Sequence, residues 1–147
     1  VVLLWRGLHH TRSHLIRSTL EGILFAVYSI NAALEDLSGK TQAFRASGGF
    51  ARSPIWLQLM ADLCGCEVQV PAITEGSGFG AAVLAMAAVG AIDSLEDVQK
   101  FVQIQDSYQP DRSNSAAYQR IYPLFDRLYR DNLESFAALE ALSRTAV

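Results

Sequence analysis

A glycine pair before a helix start is the strongest candidate for chemistry in this sequence. The segment runs Ser47-Gly48-Gly49-Phe50-Ala51-Arg52-Ser53-Pro54. Glycines carry no side chains, so a ligand can approach their backbone closely. The helix that follows presents N–H groups without acceptors and the positive end of its dipole, which favours phosphate, and Arg52 and Ser53 add donors. The alternative is a tight turn without a ligand, because glycine pairs are common in turns.

A second glycine-rich stretch, Glu75-Gly76-Ser77-Gly78-Phe79-Gly80-Ala81-Ala82, lies further along the chain. It lacks the lysine that follows the last glycine of a P-loop, so it is not a Walker motif. Small residues on a helix allow close approach of a neighbouring backbone or of a bound nucleotide. Helix packing is the favoured interpretation, because glycine and alanine so often serve that purpose.

Three histidines and two cysteines raise the question of a metal site. His10 and His14 are four residues apart, beside His9, and would share one face of a helix. A zinc site needs further ligands with suitable geometry, and none is adjacent in the sequence. Cys64 and Cys66 form a lone pair without a second pair to complete four ligands. We therefore predict turn or core positions for these residues and no metal site.

Catalytic groups are not evident in the sequence. It contains no Ser-His-Asp order, no Gly-x-Ser-x-Gly elbow and no His-Glu-x-x-His motif. Glu21, Asp62 and Glu75 are predicted to lie on helices, where a solvated or capping role is the default for a carboxylate. No general base can be nominated from this chain.

Apolar spacing and turn residues predict the elements that hold these motifs. Ser53 at the N-cap and Pro54 at the first helical position are a specific helix start. Pro123 lies within the last predicted helix, where a proline produces a kink or a break. Helices are predicted over residues 11–37, 54–65, 74–88, 95–104 and 115–142, strands over 42–46 and 67–70, and a loop over 107–113.

The predicted elements form an α/β unit with two parallel strands. A sheet this small is rarely stable alone, so we expect earlier strands to be missing. Apolar surface would then be exposed, and we expect the chain either to associate, as in a homodimer, or to require an N-terminal partner. The initial valine is consistent with an excised segment.

Composition excludes several classes of protein. The chain has 147 residues, of which 50% are hydrophobic and 18% charged, with a formal net charge of −3. This apolar content supports a core and argues against a disordered tail. No basic stripe is present for nucleic acid, and the longest uncharged run is too short and weakly apolar for a membrane span. Two cysteines fit a reducing, cytoplasmic setting better than a secreted one.

Taken together, the motifs resemble those of the FGGY carbohydrate kinases, in the right order and over nearly the whole chain. Gly7-Leu8 followed by residues 11–22 resembles the second family signature. Residues 47–56, followed by 58–62, are similar to the adenosine-binding segment, and residues 75–82 to the helix after it. The tail from Tyr108-Gln109-Pro110 through Tyr118, Tyr122 and Tyr129 is also family-like.

The resemblance implies a fold related to actin and hexokinase, in which ATP binds between two RNase-H-like domains. Residues 1–147 would form the C-terminal part of the second domain, helix-rich with a small parallel sheet. The N-terminal domain, with the sugar site and the catalytic aspartate, would be absent, so no residue here is assigned a catalytic role. The family's adenosine-binding segment maps onto Ser47, Gly48, Gly49, Phe50, Arg52 and Ser53.

By the same resemblance, Gly48 and Gly49 would line the ribose and phosphates of ADP, and Mg²⁺ would accompany the nucleotide. The implied activity is ATP-dependent phosphorylation of a sugar or sugar acid, with this chain alone inactive. Residues 20–28 and the tyrosine-rich tail are most similar to gluconate kinases and next to xylulose kinases. An alternative of another class is a non-catalytic interaction module that has lost nucleotide binding.

Overall fold

The computed structural model describes residues 6–73 and 75–145. Five α-helices, three strands and two 3₁₀ segments follow one another in this part of the chain. The helices are α1 (Arg12–Ser38), α2 (Pro54–Cys64), α3 (Gly76–Ala88), α4 (Arg112–Asp131) and α5 (Leu133–Thr145); the strands are β1 (Ala43–Arg45), β2 (Glu67–Pro71) and β3 (Ile104–Tyr108); the 3₁₀ segments are Gly48–Arg52 and Leu95–Phe101.

The sheet has the strand order β1-β2-β3 and is mixed. β1 and β2 are parallel, with Phe44 opposite Val68, as predicted. β3 is antiparallel to β2, with Tyr108 opposite Val68. The prediction of a purely parallel sheet is therefore wrong, because the sequence predicts a helix up to residue 104 and a loop from residue 107, and no strand between β2 and α4. Polar residues dominate that strand and its burial is slight, so it lacks the apolar alternation by which strands are recognised.

α2 is the centre of the hydrophobic core. It packs against α1 on one side, α4 on another and the sheet behind it. Leu57, Ala61 and Leu63 are almost completely buried, as is Val68 on β2. The helix starts where Ser53 and Pro54 predict, and it ends at Gly65, whose φ of +65° is the left-handed conformation that glycine adopts readily.

Aromatic side chains join α1 to α4. The ring of Phe25 lies 5.1 Å from that of Phe125 and 6.0 Å from that of Tyr118, centroid to centroid. The rings of Tyr28 and Tyr122 meet edge to face at 4.7 Å. The tyrosine-rich tail therefore holds α4 against α1, since aromatic pairs in such arrangements stabilise packing beyond the area they bury.

The C-terminal helical region divides at Asn132 and not at Pro123. Pro123 lies inside α4, which continues to Asp131, and α5 begins at Leu133. The predicted break at Pro123 is therefore wrong, whereas the alternative, a kink at this proline, stays a prediction. The N–H of Asn132 donates to the carbonyl of Tyr129, and its side-chain amide donates to the carbonyl of Leu128 at 2.7 Å, which closes the last turn of α4.

Two further predictions about the helices need correction. The apolar residues that recur at helical spacing in α1 predict one buried stripe, but α1 buries Leu24, Phe25 and Asn31, whereas Ile23 and Ile30 of that stripe are exposed. α1 is therefore apolar on more than one face, and such a helix can pack against a neighbour on each of these faces. Residues 95–101 form a 3₁₀ segment in place of the predicted α-helix. Thr74, which the sequence suggests as the cap of the predicted helix over 74–88, lies outside the described residues.

Within residues 6–73 and 75–145, no helix has both the length and the apolarity to cross a bilayer.

Candidate functional site

The predicted binding segment begins where β1 ends. Ala46 is buried, and its N–H donates to the carbonyl of Gln69 on β2 at 2.8 Å. This bond fixes the chain at the sheet edge before it turns outward. Ser47 then adopts an extended conformation and leads into the 3₁₀ segment Gly48–Arg52. The segment is therefore short, exposed and held at both ends, by the sheet before it and by α2 after it.

The backbone requires a glycine at only one of the two positions. Gly48 has a φ of +71°, a conformation that side chains disfavour, whereas Gly49 is not among the glycines with positive φ. A Cβ at either position would meet no atom within 4 Å. Gly48 is thus required by the turn, but neither the backbone nor the neighbours of Gly49 require a glycine. Close approach of a ligand is a sufficient reason for the second glycine.

Polar groups of the segment are open to a ligand. Ser47 and Ser53 occupy N-cap positions, and neither side chain makes a capping hydrogen bond. Arg52 is exposed, and among the described residues it makes no side-chain hydrogen bond or ion pair. The first turn of α2 also leaves N–H groups without acceptors inside the helix. These donors suit an anionic ligand such as a nucleotide phosphate.

Phe50 has a packing role. Its ring meets the ring of Trp56 edge to face, with centroids 5.2 Å apart. Both residues are half-buried against the core that surrounds α2. Phe50 therefore braces the 3₁₀ segment against the first turn of α2, and it keeps the glycine pair at a fixed position relative to that turn.

The structure brings the two glycine-rich stretches together. A Cβ built on Gly76, the first residue of α3, would lie 3.7 Å from the hydroxyl oxygen of Ser47. Gly78 and Gly80 have no such neighbour within 4 Å. Close helix packing, the favoured interpretation of residues 75–82, is therefore not observed at these two glycines. Their exposed backbone lies on the helix whose start adjoins the predicted binding segment.

The histidines lie in a turn and at a helix start. Nδ1 of His10 accepts from the N–H of Gly7 at 2.9 Å, and Nδ1 of His14 accepts from the N–H of Thr11 at 3.1 Å. The rings of His10 and His14 are 5.6 Å apart. Among the described residues there is no group of three or more His, Cys, Asp or Glu positioned to hold a metal ion.

The two cysteines are free thiols. Burial, with smaller contributions from Cys66 and Glu35, raises the pKa of Cys64 to about 12. Burial also raises the pKa of Cys66. Because a thiolate is the form that binds metals and attacks electrophiles, neither thiol is suited to such chemistry at neutral pH.

Asp62 is buried, contrary to the expectation of a solvated carboxylate, and it is only 2% exposed. Its Oδ1 accepts from the side chain of Gln58 at 2.7 Å and from the N–H of Asp111 at 2.9 Å. Its Oδ2 accepts from the side chain of Asn114 at 2.8 Å. A carboxylate buried with these donors joins α2 to the start of α4. Sequence spacing alone offered no signal for this connection.

Glu21 is part of a second connection between helices. Its Oε1 accepts from Arg17 on α1 and from the hydroxyl of Tyr118 on α4, both at 2.7 Å. Arg17 also donates to the Tyr118 oxygen at 2.9 Å. Burial is the main cause that raises the pKa of Tyr118, so its hydroxyl keeps the proton that it donates to Glu21. Glu75 is exposed at the start of α3 and makes no side-chain capping bond.

The sequence and the fold of this chain are similar to those of known proteins. The model of the FGGY family of carbohydrate kinases, C-terminal domain, matches residues 3–89. The chain therefore belongs to the FGGY family of carbohydrate kinases. It is 38% identical over 122 residues to a gluconokinase from Bacillus licheniformis and 32% identical over 120 residues to a probable L-xylulose kinase from Pasteurella multocida. Both alignments cover 82% of this chain and 24% of the relative, so the chain spans about a quarter of their length.

Solved structures agree with this assignment. The gluconate kinase from Lactobacillus acidophilus matches with a TM-score of 0.80 and 26% identity, over 90% of this chain and 28% of that one. The xylulose kinase from Rhodospirillum rubrum matches with a TM-score of 0.76 and 36% identity, over 90% and 27%. The expected fold class, an α/β arrangement of the actin and hexokinase type, is confirmed by these neighbours, with the sheet mixed and not purely parallel.

Proposed function

We propose that this chain supplies the nucleotide side of an FGGY sugar kinase, as the C-terminal part of its second domain. The single observation that carries the proposal is the glycine pair of residues 48–49, which is exposed between β1 and α2. Neither the backbone conformation nor the neighbours of Gly49 require a glycine there. The family membership supports ATP as the phosphoryl donor, and Mg²⁺ would accompany its phosphates.

In this proposal each residue of the segment has a defined task. Gly48 and Gly49 admit the ribose and phosphates of the nucleotide to the backbone, while Ser47, Ser53 and the first turn of α2 donate hydrogen bonds to them. Arg52 contributes positive charge, and Phe50 braces the segment through Trp56. When bound, ATP supplies the phosphoryl group that is transferred. The chain binds and orients it, and the sugar hydroxyl is activated by residues outside this chain.

The substrate is proposed to be a sugar or a sugar acid, with gluconate first. The support is the 38% identity to a gluconokinase, against 32% to a probable L-xylulose kinase. Xylulose or a related pentulose or hexulose is the second candidate, because gluconate and xylulose kinases from Lactobacillus acidophilus match this fold with equal TM-scores of 0.80. A cytoplasmic location is proposed with this activity, because the two cysteines are free thiols, as is usual in a reducing compartment.

Calorimetric titration with ADP, with and without Mg²⁺, tests the proposal. We expect saturable one-to-one binding by the chain and its loss in Gly49→Val, in which a branched side chain blocks the approach of the nucleotide. Gly22→Val is the matched control, since a Cβ at Gly22 also meets nothing within 4 Å and that residue lies in α1. Equal affinity of both variants for ADP, with the fold retained, would overturn the assignment of the site. A folded wild-type chain that does not bind ADP would favour an interaction module.

A further inference from the structure

Two consecutive turns lead into α1, and a histidine ring closes each of them. In the first, the N–H of Gly7 donates to Nδ1 of His10 at 2.9 Å, and the N–H of His10 donates to the carbonyl of Gly7 at 3.1 Å. In the second, the N–H of Thr11 donates to Nδ1 of His14 at 3.1 Å. We call residues 7–14 the histidine turns. An imidazole nitrogen three residues ahead is the acceptor in both.

His14 occupies the place that glutamate or glutamine takes in a capping box. It is the third residue of α1, and its ring accepts from the backbone N–H of the N-cap residue, Thr11. A glutamine does not titrate, and a glutamate stays charged at neutral pH, whereas an imidazole changes its charge between about pH 5 and 8. The first turn of α1 is therefore held by an acceptor that a proton can remove.

Protonation has the same effect in both turns. A neutral ring that accepts at Nδ1 carries its proton on Nε2, and in the imidazolium ion both nitrogens are donors. The hydroxyl of Thr11, 2.9 Å from Nδ1 of His14, can accept from the protonated ring, but the backbone N–H groups of Gly7 and Thr11 cannot. A positive charge on His14 is also unfavourable at the start of α1, whose first turn contains no acidic residue.

The histidine rings lie close enough to repel one another when they are charged. The ring centroids of His9 and His10 are 4.2 Å apart, and those of His10 and His14 are 5.6 Å apart. Loss of hydration, followed by repulsion from His9, His14 and Arg6, lowers the pKa of His10 from its usual 6.5. The closed turns therefore favour the neutral form of His10.

The helices that face these rings add little to oppose that repulsion. His10 and His14 line a groove of about 1180 Å³ between α1 and the helices α4 and α5. The other charged or titratable side chains in this lining are Arg17 and Glu21 from α1 and Tyr129 from α4, and α5 adds only apolar ones. Glu21, the one carboxylate among the described residues of the lining, is already paired with Arg17.

We propose that the histidine turns are a proton-sensitive start of α1, which opens in mild acid while the core around α2 stays folded. The chain has three histidines, all within residues 9–14, so mild acid titrates imidazole nowhere else in it. Opening would expose Leu15, which is half-buried where it lines the groove. The device does not depend on nucleotide binding, so this proposal and the proposed function can fail separately.

Cα secondary chemical shifts of residues 12–16, followed by NMR from pH 8 to pH 5, test this proposal. We expect helical values at pH 8 that fall toward random-coil values with a midpoint below pH 6.5, because the closed turns resist protonation of His10. The shifts of α2 should stay helical throughout. The amide proton shifts of Gly7 and Thr11 should change over the same range, since both groups lose their acceptors.

Three variants assign the effect to individual rings. His14→Gln keeps an acceptor for the Thr11 N–H and does not titrate, so residues 12–16 should stay helical to pH 5. In His10→Asn the first turn of α1 should still open, whereas the Gly7 amide should no longer respond to pH. His9→Gln is the control, because neither turn is closed by His9. It should keep the transition, at a slightly higher pH because one source of repulsion is gone.

Three results would overturn the proposal. Residues 12–16 of the wild type could keep their helical shifts down to pH 5, or His14→Gln could lose them as the wild type does. Loss of the α2 shifts at the same pH would also contradict it, because the whole chain would then unfold in place of the first turn of α1.

Discussion

The buried carboxylate of Asp62 accepts a hydrogen bond from the backbone N–H of Asp111, 2.9 Å away and 49 positions along the chain. Asp111 in turn caps α4, because its Oδ1 accepts from the N–H groups of Ser113 and Asn114. The Asp62 carboxylate thus fixes the position of Asp111, the N-cap residue of α4. The arrangement sets where α4 starts relative to α2.

Loss of the Asp62 carboxylate should destabilise the chain. Asp62→Ala leaves the Gln58 amide, the Asp111 N–H and the Asn114 amide without their acceptor, and we expect a loss of roughly 2–4 kcal/mol in the free energy of unfolding. Denaturant unfolding monitored by circular dichroism measures it. Asp106→Ala, an exposed aspartate on β3, is the control and should change stability little. A wild-type midpoint for Asp62→Ala would show that these hydrogen bonds contribute nothing.

Acid should loosen the turn that precedes α1. Loss of hydration, followed by repulsion from His9, His14 and Arg6, lowers the pKa of His10 from its usual 6.5. The unfolded chain therefore binds more protons than the folded chain, and the stabilisation is present above pH 6.5 and lost as the pH falls below it. Thermal midpoints from pH 8 to 5 should decrease accordingly.

His10→Asn is the informative variant for this effect. Its side-chain oxygen can accept from the N–H of Gly7 as Nδ1 of His10 does, but it does not titrate. We expect a shallower pH dependence than in the wild type. An unchanged slope would mean that His10 is not a source of the acid sensitivity.

The exposed apolar face of α1 should make the isolated chain associate. Ile30 and Leu34 are 64% and 55% exposed and lie one turn apart. Sedimentation velocity should show a weight-average coefficient that rises with concentration, and the double variant Ile30→Lys/Leu34→Lys should suppress the rise. A wild-type chain that stays monomeric at all concentrations would contradict this expectation.

The sequence predicted those elements that depend only on residues adjacent in the chain. Ser53 and Pro54 mark the start of α2, and the parallel pair of β1 and β2 follows from two short segments bounded by turn residues. β3 was not predicted, because its residues Ile104–Tyr108 are mostly polar and pair with β2 through backbone bonds. Pairing through backbone hydrogen bonds constrains side-chain type only weakly, so the sequence of such a strand need not show a recognisable pattern.

The candidate site was predicted in outline from the sequence, but its surroundings were not. The glycine pair and the helix start are adjacent in the chain, so local geometry positions them. The approach of Gly76 to Ser47 depends on how α3 returns to the sheet, which no local pattern specifies. The burial of Asp62 likewise depends on the start of α4, which is distant in sequence.

Backbone amide shifts during titration with ADP test the central claim most directly, because they report where the nucleotide binds as well as whether it does. We predict saturable shifts at Ser47–Ser53, the first turn of α2 and the first turn of α3, with residues 109–119 unaffected. Gly49→Val should abolish these shifts and Gly22→Val should preserve them. ADP-induced shifts centred elsewhere in the chain, or shifts that persist unchanged in folded Gly49→Val, would contradict the account.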